Sequence, residues 1–298
     1  MIRYNPKEWF GLIFHSYSRM VLLKLLPILI FIGIYTLALT YVILNGEALF
    51  GVDLSFEGTT QVHSLMGIVL GLFLVFRTNT AYERWWEGRK QWGALVNNTR
   101  NLAFKIDSFV SEEDKETRRY FSIMIPNFVF AMKEHLRRGV NYNELESPDE
   151  EFMSTLKKHF HKPNIITNMM YKHVDRMYKN KEITGDHFFL LDKELKSFSD
   201  ILGACERIRN TPIPYSYSMF MKKFIFTFTI TLPFAFIPNF EYITIPIVLM
   251  LFYILVSIEL IAEEIEDPFG RDINDLPTDE LADKIRNNVR EVLLAPKQ

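Results

Sequence analysis

Four stretches of this chain are apolar enough to leave water, and the charges between them are sorted by sign. Leu25 to Leu44 carries no charge over about the 20 residues that a helix needs to cross a bilayer. Val62 to Phe76 is shorter and opens on His63 and Ser64. Phe224 to Ile237 interleaves Thr with Phe, Ile and Leu. After Pro238, Asn239 and Glu241 comes Ile243 to Ile261, with Ser257 and Glu259 near its end. No Lys or Arg lies between Lys24 and Arg77, or between Lys223 and Arg271. Two membrane hairpins therefore place every cation on one side, and the positive-inside rule makes that side cytoplasmic, with both termini. The loop Asn45–Thr60 then faces outward, carrying only acids: Glu47, Asp53 and Glu57. Four buried helices of a soluble protein leave this one-sided distribution unexplained.

The region Arg77–Lys223 is polar, with helical periodicity. Arg77 to Val110 reads as a continuation of the second apolar helix. Ser111-Glu-Glu-Asp114 reads as a cap for a helix to about Arg138. Ser147-Pro148-Asp149 starts another that stops near Lys162-Pro163. Further helices follow near Ile165–Asn180 and Asp186–Arg209, and Thr278 caps a last one to about Leu294. Such a region is too long for a loop and must be a structured layer. The expected organisation is a cytoplasmic N-terminal segment (1–24), a first transmembrane hairpin (25–76), a cytoplasmic helical domain (77–223), a second hairpin (224–261), and an acidic segment with a C-terminal helix (262–298).

Composition narrows the function. With 298 residues and a net charge of −2, the chain has no global basic field for nucleic acid. Its single cysteine, Cys205, excludes an internal disulfide and a Cys-rich zinc site, and reads as a small buried packing residue. Arg3 and Lys7 precede the first apolar run without a cleavage site after it, so that span is expected to stay in the mature protein. No nucleophile elbow, P-loop, HExxH or GxGxxG pattern points to an enzyme. His159-x-His161 is a metal-pair spacing, but no third ligand stands at helical spacing, and it reads as a solvated loop before Pro163. Glu259 lies within a turn of the cytoplasmic end, so surface access is the simpler account of an acid in a span.

The segment Val62–Phe76 contains Gly67-x-x-x-Gly71, a spacing that lets helices approach closely. Ile68, Leu72 and Phe76 recur every four residues as one stripe, with Ser64 a turn above. Two readings stay open: ordinary packing of a buried helix, or a pore wall. Repeated around an axis, the stripe makes three stacked apolar rings that gate by dewetting. Trp85 and Trp86 fit an interfacial aromatic belt, and Arg77 and Arg84 a cytoplasmic flank.

Ser16-Tyr-Ser-Arg19, Arg84-Trp-Trp86, Leu202-Gly-Ala-Cys-Glu-Arg207, Pro212-Ile-Pro214 and Pro268-Phe-Gly270, within the acidic Ala262–Leu276 stretch, occur in this order along nearly the whole chain. In this the chain resembles the bestrophins, and in particular their bacterial branch. The resemblance implies an all-α membrane protein. Its four transmembrane helices, in two hairpins, and a helical cytoplasmic domain would assemble as a homopentamer around an axial pore. It implies that Ile68, Leu72 and Phe76 form the pore neck, and that a second constriction lies near Asp186 and His187. It also implies a calcium clasp, with carbonyl ligands from Phe10, Glu264 and Asp267 and carboxylates from Asp272 and Asp275, an oxygen set suited to a hard cation. Here Arg271 interrupts the acidic run, and Ile273 and Asn274 stand where the family has aspartates. Calcium or another divalent cation at Asp272 and Asp275 therefore competes with a charged inter-subunit latch satisfied by Arg and backbone N–H. No cofactor is required.

The remaining question is the permeant ion. The outer acids and a ring of Asp186 carboxylates would concentrate cations. Phe76 ring edges would suit anions, and ring faces cations. The balance favours a channel for sodium-like monovalent cations, then a chloride channel of the same architecture, then a proton-coupled transporter. The expected setting is the inner (plasma) membrane, with lipid, further copies of the chain and permeant ions as partners.

Overall fold

Each apolar stretch lies in a helix of the computed structural model, which describes residues 16–51 and 58–294, with side chains from Met20 onward. Phe10, Asp53 and Glu57 lie outside the described residues. Helix α1 (Ser16–Leu44) holds the first stretch, and a short α2 (Gly46–Phe50) ends at Gly51, whose φ of 68° is in the left-handed region that glycine enters freely. Helix α3 (Thr59–Phe109) contains the second stretch and runs for 51 residues, about 76 Å at 1.5 Å per residue. It is followed by α4 (Lys115–Leu136), α5 (Phe152–Lys158), α6 (Lys162–Lys179), α7 (Gly185–Asn210), α8 (Tyr215–Phe240), α9 (Thr244–Glu266) and α10 (Thr278–Leu294). Every regular element among the described residues is helical. Helix α1, the apolar part of α3, and the α8–α9 stretch are long and apolar enough to cross a membrane.

The chain divides into two compact units, an apolar one (residues up to Glu83, with Ile213–Glu266) and a polar one (Arg84–Pro212, with Asp267 onward). The boundaries fall at Arg84, Ile213 and Asp267, where residues 77, 224 and 262 were expected. Helices α3, α8 and α9 continue past their apolar stretches and carry polar turns with them.

In the apolar unit, Ile32, Leu70, Leu74, Phe228, Val248 and Phe252 form the core. Helix α8 contains Pro233 and Pro238. Pro238 has no N–H for the carbonyl of Phe234, four residues back. The Thr59 hydroxyl donates to that carbonyl at 3.1 Å, which meets the demand that backbone groups in an apolar medium be satisfied internally. The α8 helix breaks at Glu241, with φ 45°, and one 3-10 turn (Glu241–Ile243) leads into α9, which packs back against α8.

The same unit buries an ion cluster. Arg77, 1% exposed, donates from Nε to Glu259 Oε1 at 3.3 Å and from Nη2 to Glu266 Oε2 at 2.8 Å. Glu266 Oε1 also accepts the backbone N–H of Ile213 at 2.7 Å. This corrects one expectation: Glu259, 3% exposed, has the buried Arg77 as partner in place of surface water. A buried charge persists where a partner offsets its desolvation.

In the polar unit, α4 packs against α6 and α10, and α6 against α7, around Trp92, Leu95, Phe121, Phe128 and Phe198. Cys205 is fully buried, and burial pushes its thiol up to about 12, as suits a packing residue. Asp114 caps α4, accepting the Thr117 N–H at 2.9 Å. Lys162-Pro163 does not end a helix, as expected, but opens α6: the first turn needs no N–H from Pro163, and α5 has already stopped at Lys158.

Replacing Arg77 by Ala should leave Glu259 buried without its cation and cost about 3–5 kcal/mol, read as a lower thermal midpoint of the detergent-solubilised protein. Adding Glu259→Gln should restore part of the loss. Lys179→Ala, which removes an exposed ion pair with Asp175, should hardly move the midpoint. A wild-type midpoint for Arg77→Ala would show that the buried cluster contributes nothing.

Candidate functional site

Helix α3 turns two different faces to its surroundings. Leu70, Leu74, Arg77 and Ala81 are 1%, 4%, 1% and 0% exposed, whereas Ile68, Leu72 and Phe76 are 72%, 55% and 56% exposed. Residues two apart on a helix are rotated by about 200°, so the predicted stripe lies opposite the face that holds the core and the ion cluster. Ser64 and Thr80 extend the same line at its two ends. Their hydroxyls donate to the carbonyls of Thr60 and Phe76, both at 2.9 Å. Of the two spaced glycines, only Gly67 supports close helix approach, since a Cβ there would meet the Phe228 ring at 3.6 Å, while one at Gly71 meets nothing within 4 Å.

Asp186 and His187 differ in their surroundings. Asp186 is exposed in the first turn of α7. The His187 ring stacks on Phe109 of the same unit, 4.1 Å between centroids and parallel within 1°. Thr184 accepts its backbone N–H at 3.2 Å. Phe189, 71% exposed, and Leu190, 43% exposed, share the face of Asp186 at three and four residues' distance. They are offset from the buried Leu191 and Leu195 of the same helix.

The acidic segment is a braced loop. Phe269 seats on Gly88, where a Cβ would lie 3.2 Å from its ring. Trp85 Nε1 donates to the Asn274 carbonyl at 2.9 Å, so Trp85 holds this loop and is no free member of an interfacial belt. The Leu276 N–H closes the loop onto the Pro268 carbonyl at 2.9 Å. Asp275, 2% exposed, turns inward, and its Oδ2 accepts the Asp272 N–H at 2.6 Å. A Cβ on Gly270 would come within 2.6 Å of that oxygen, so only glycine fits. Asp267 and the Asp272 side chain are exposed, and Glu264 lies in the last turn of α9 in the other unit. Arg271 reaches Glu134 Oε2 at 3.4 Å, away from the aspartates. Within this loop, one oxygen of the Asp275 carboxylate is thus taken by the Asp272 N–H, while the Asp272 side chain is exposed.

The anchor beside this loop is Arg137, at the end of α4. It donates to Asp279 at 2.9 and 2.7 Å, to Thr278 Oγ1 at 3.0 Å and to the Phe269 carbonyl at 3.4 Å. Hydrogen bonds from Arg137, against burial and helped by Lys133, hold the Asp279 carboxyl well below its ordinary range.

A second cluster was not anticipated. His161 does not pair with His159 in a solvated loop. Its Nε2 lies 2.8 Å from Glu206 Oε1, and His135 Nε2 lies 2.7 Å from the same oxygen. Burial lowers the His135 pKa against the pull of Glu206. Burial raises Glu206, but hydrogen bonds from His161 and His135 outweigh it and hold the carboxyl below its usual range. His135 and Glu206 are 71 residues apart, so no local spacing signals the set.

Comparison with known proteins places these features in a family context. The family model of bacterial and fungal bestrophin proteins matches residues 1–291. The voltage-dependent anion channel-forming protein alr2987 of Nostoc sp. is 37% identical over 233 residues, 76% of this chain and 75% of that one. The voltage-dependent anion channel-forming protein YneE of Escherichia coli K12 is 30% identical over 234 residues, 78% and 76% of the two chains. In structure, a point mutant of a Klebsiella pneumoniae bestrophin homolog aligns with a TM-score of 0.79 at 25% identity, over 90% of this chain and 99% of that one.

Proposed function

Since the chain belongs to the bacterial and fungal bestrophin family and is an ion-channel protein, not an enzyme, we propose that five copies surround an axial pore for monovalent ions. The observation that carries this reading is the Ile68–Leu72–Phe76 stripe, exposed opposite the core of its own unit. Around a five-fold axis each residue repeats as a ring, and three apolar rings form a neck that is dry when closed. The hydroxyls of Ser64 and Thr80 at its ends mark where ions regain water. Helix α1, the apolar part of α3, α8 and α9 make four crossings, with both termini cytoplasmic, in the inner membrane. The second constriction takes its residues from the exposed α7 face, Asp186 with Phe189 and Leu190, while His187 stays packed on Phe109.

Sodium-like cations are the favoured cargo. Glu47 on the outer side and Asp186 at the second constriction each repeat fivefold and attract cations. A chloride channel is the second reading, favoured by the names of the Nostoc and Escherichia coli relatives. Proton-coupled transport is disfavoured, because Glu259 is committed to Arg77. Asp272 and Asp275 act as a loop brace without calcium.

Three measurements test these readings. In a planar bilayer with asymmetric NaCl, the reversal potential should move toward the sodium Nernst value; a shift toward the chloride value selects the anion reading. Leu72→Ala with Phe76→Ala should widen and wet the neck and raise the current several-fold, and an unchanged conductance would mean that the stripe faces lipid. Asp272→Asn should leave a calcium titration of the current unaltered, whereas Asp275→Asn should lower the thermal midpoint by weakening the loop. A calcium response that Asp272→Asn abolishes would reinstate the clasp.

A further inference from the structure

The His135–His161–Glu206 cluster lies in the polar unit, outside the pore stripe and the acidic loop. It joins the last turn of α4, the residue that caps α6, and the last part of α7. We propose that these three side chains bind one divalent transition-metal ion of the zinc class, which clips the three helix ends together.

Ligand chemistry comes first. Two imidazoles and one carboxylate suit zinc, and the borderline ions near it, better than calcium or magnesium, which prefer all-oxygen sets. Geometry comes second. The ligand atoms of all three residues lie within 4.8 Å of one another, the one such three-residue group among the described residues. Both Nε2 atoms point at a single carboxylate oxygen, 2.7 and 2.8 Å away. Metal–ligand bonds of about 2.0–2.2 Å in tetrahedral geometry set neighbouring ligands roughly 3.3 Å apart. The two His–Glu separations therefore need to open by about half an ångström. Access comes third. The cluster lines a cleft of about 790 Å³ that leaves room for water to complete the shell.

Two cations on the cleft wall, Arg209 and Lys162, are turned aside. Arg209 Nη1 donates to the His135 carbonyl at 2.9 Å, and Lys162 Nζ donates to the His159 carbonyl. A metal replaces the two His–Glu hydrogen bonds, releasing their Nε2 protons, and beyond these it displaces one weak contact. His161 Nδ1 accepts the Asn164 N–H at 3.4 Å. An Nε2-bound imidazole carries its proton on Nδ1 and cannot accept there, so metal binding releases that cap at the start of α6.

The test uses tag-free, full-length protein in detergent, stripped by a chelator and titrated with Zn²⁺ or Co²⁺. Elemental analysis after desalting should find one zinc per chain, the thermal midpoint should rise with zinc, and Co²⁺ should develop the visible bands of a low-coordinate imidazole–carboxylate site. Glu206→Gln and His135→Gln should each weaken binding by at least about tenfold, since even outer-shell partners of a metal are worth that much. His159→Gln, outside the cluster, should change nothing. No metal retained by the wild type, a Co²⁺ spectrum of the aquo ion, or equal binding by wild type and Glu206→Gln would each overturn the site and leave a hydrogen-bonded His–Glu–His latch. Should a variant not fold, the wild-type Co²⁺ spectrum still decides.

Discussion

A guanidinium with no route to water organises the apolar unit. Arg77 is shut among apolar side chains, and its charge is tolerable only because Glu259 and Glu266 are brought to it. Desolvating such ions costs several kcal/mol each, so the pairing must be met in any arrangement the helices adopt. Glu266 carries the constraint further by accepting the N–H of Ile213, just before α8. One cluster thus locks α3 to α9 and fixes where α8 begins.

That lock determines the rotation of α3. With Leu70, Leu74, Arg77 and Ala81 turned inward, Ile68, Leu72 and Phe76 point the other way. No described residue of the protomer covers that stripe, and this exposure is what supports reading it as a pore wall. The polar unit is stabilised by different means: a large aromatic and aliphatic core, capped helix starts, and Arg137 gathering Asp279, Thr278 and the Phe269 carbonyl at one point. Its acidic loop looks in sequence like a cation site, but it spends a carboxylate on its own backbone.

Local periodicity made much of this legible. The four-residue repeat of Ile68, Leu72 and Phe76 was visible because helix geometry converts that spacing directly into a face. The uninterrupted run past Arg77 marked one long helix, and Asp114 marked a helix start. The failures share a cause. Glu259 read as a surface acid because its partner is 182 residues away. Trp85 read as a membrane anchor because its acceptor, the Asn274 carbonyl, is 189 residues away. His161 read as solvated because His135 and Glu206 approach it only in the folded unit. Lys162-Pro163 was a local error, since proline both ends and begins helices and the choice depends on where the preceding one stopped.

By itself the sequence determined which segments are apolar enough to cross a membrane, that Lys and Arg are kept out of two long stretches, which helical positions form the stripe, and the family to which the chain belongs. Those properties follow from composition and from periods of three or four residues, and they survive any change in distant packing. Only the tertiary structure decided which charges are buried and paired, which aspartate is spent on its own loop, and that two histidines meet one glutamate. Each of these is a long-range pairing, and its partner is chosen by how the helices pack against one another.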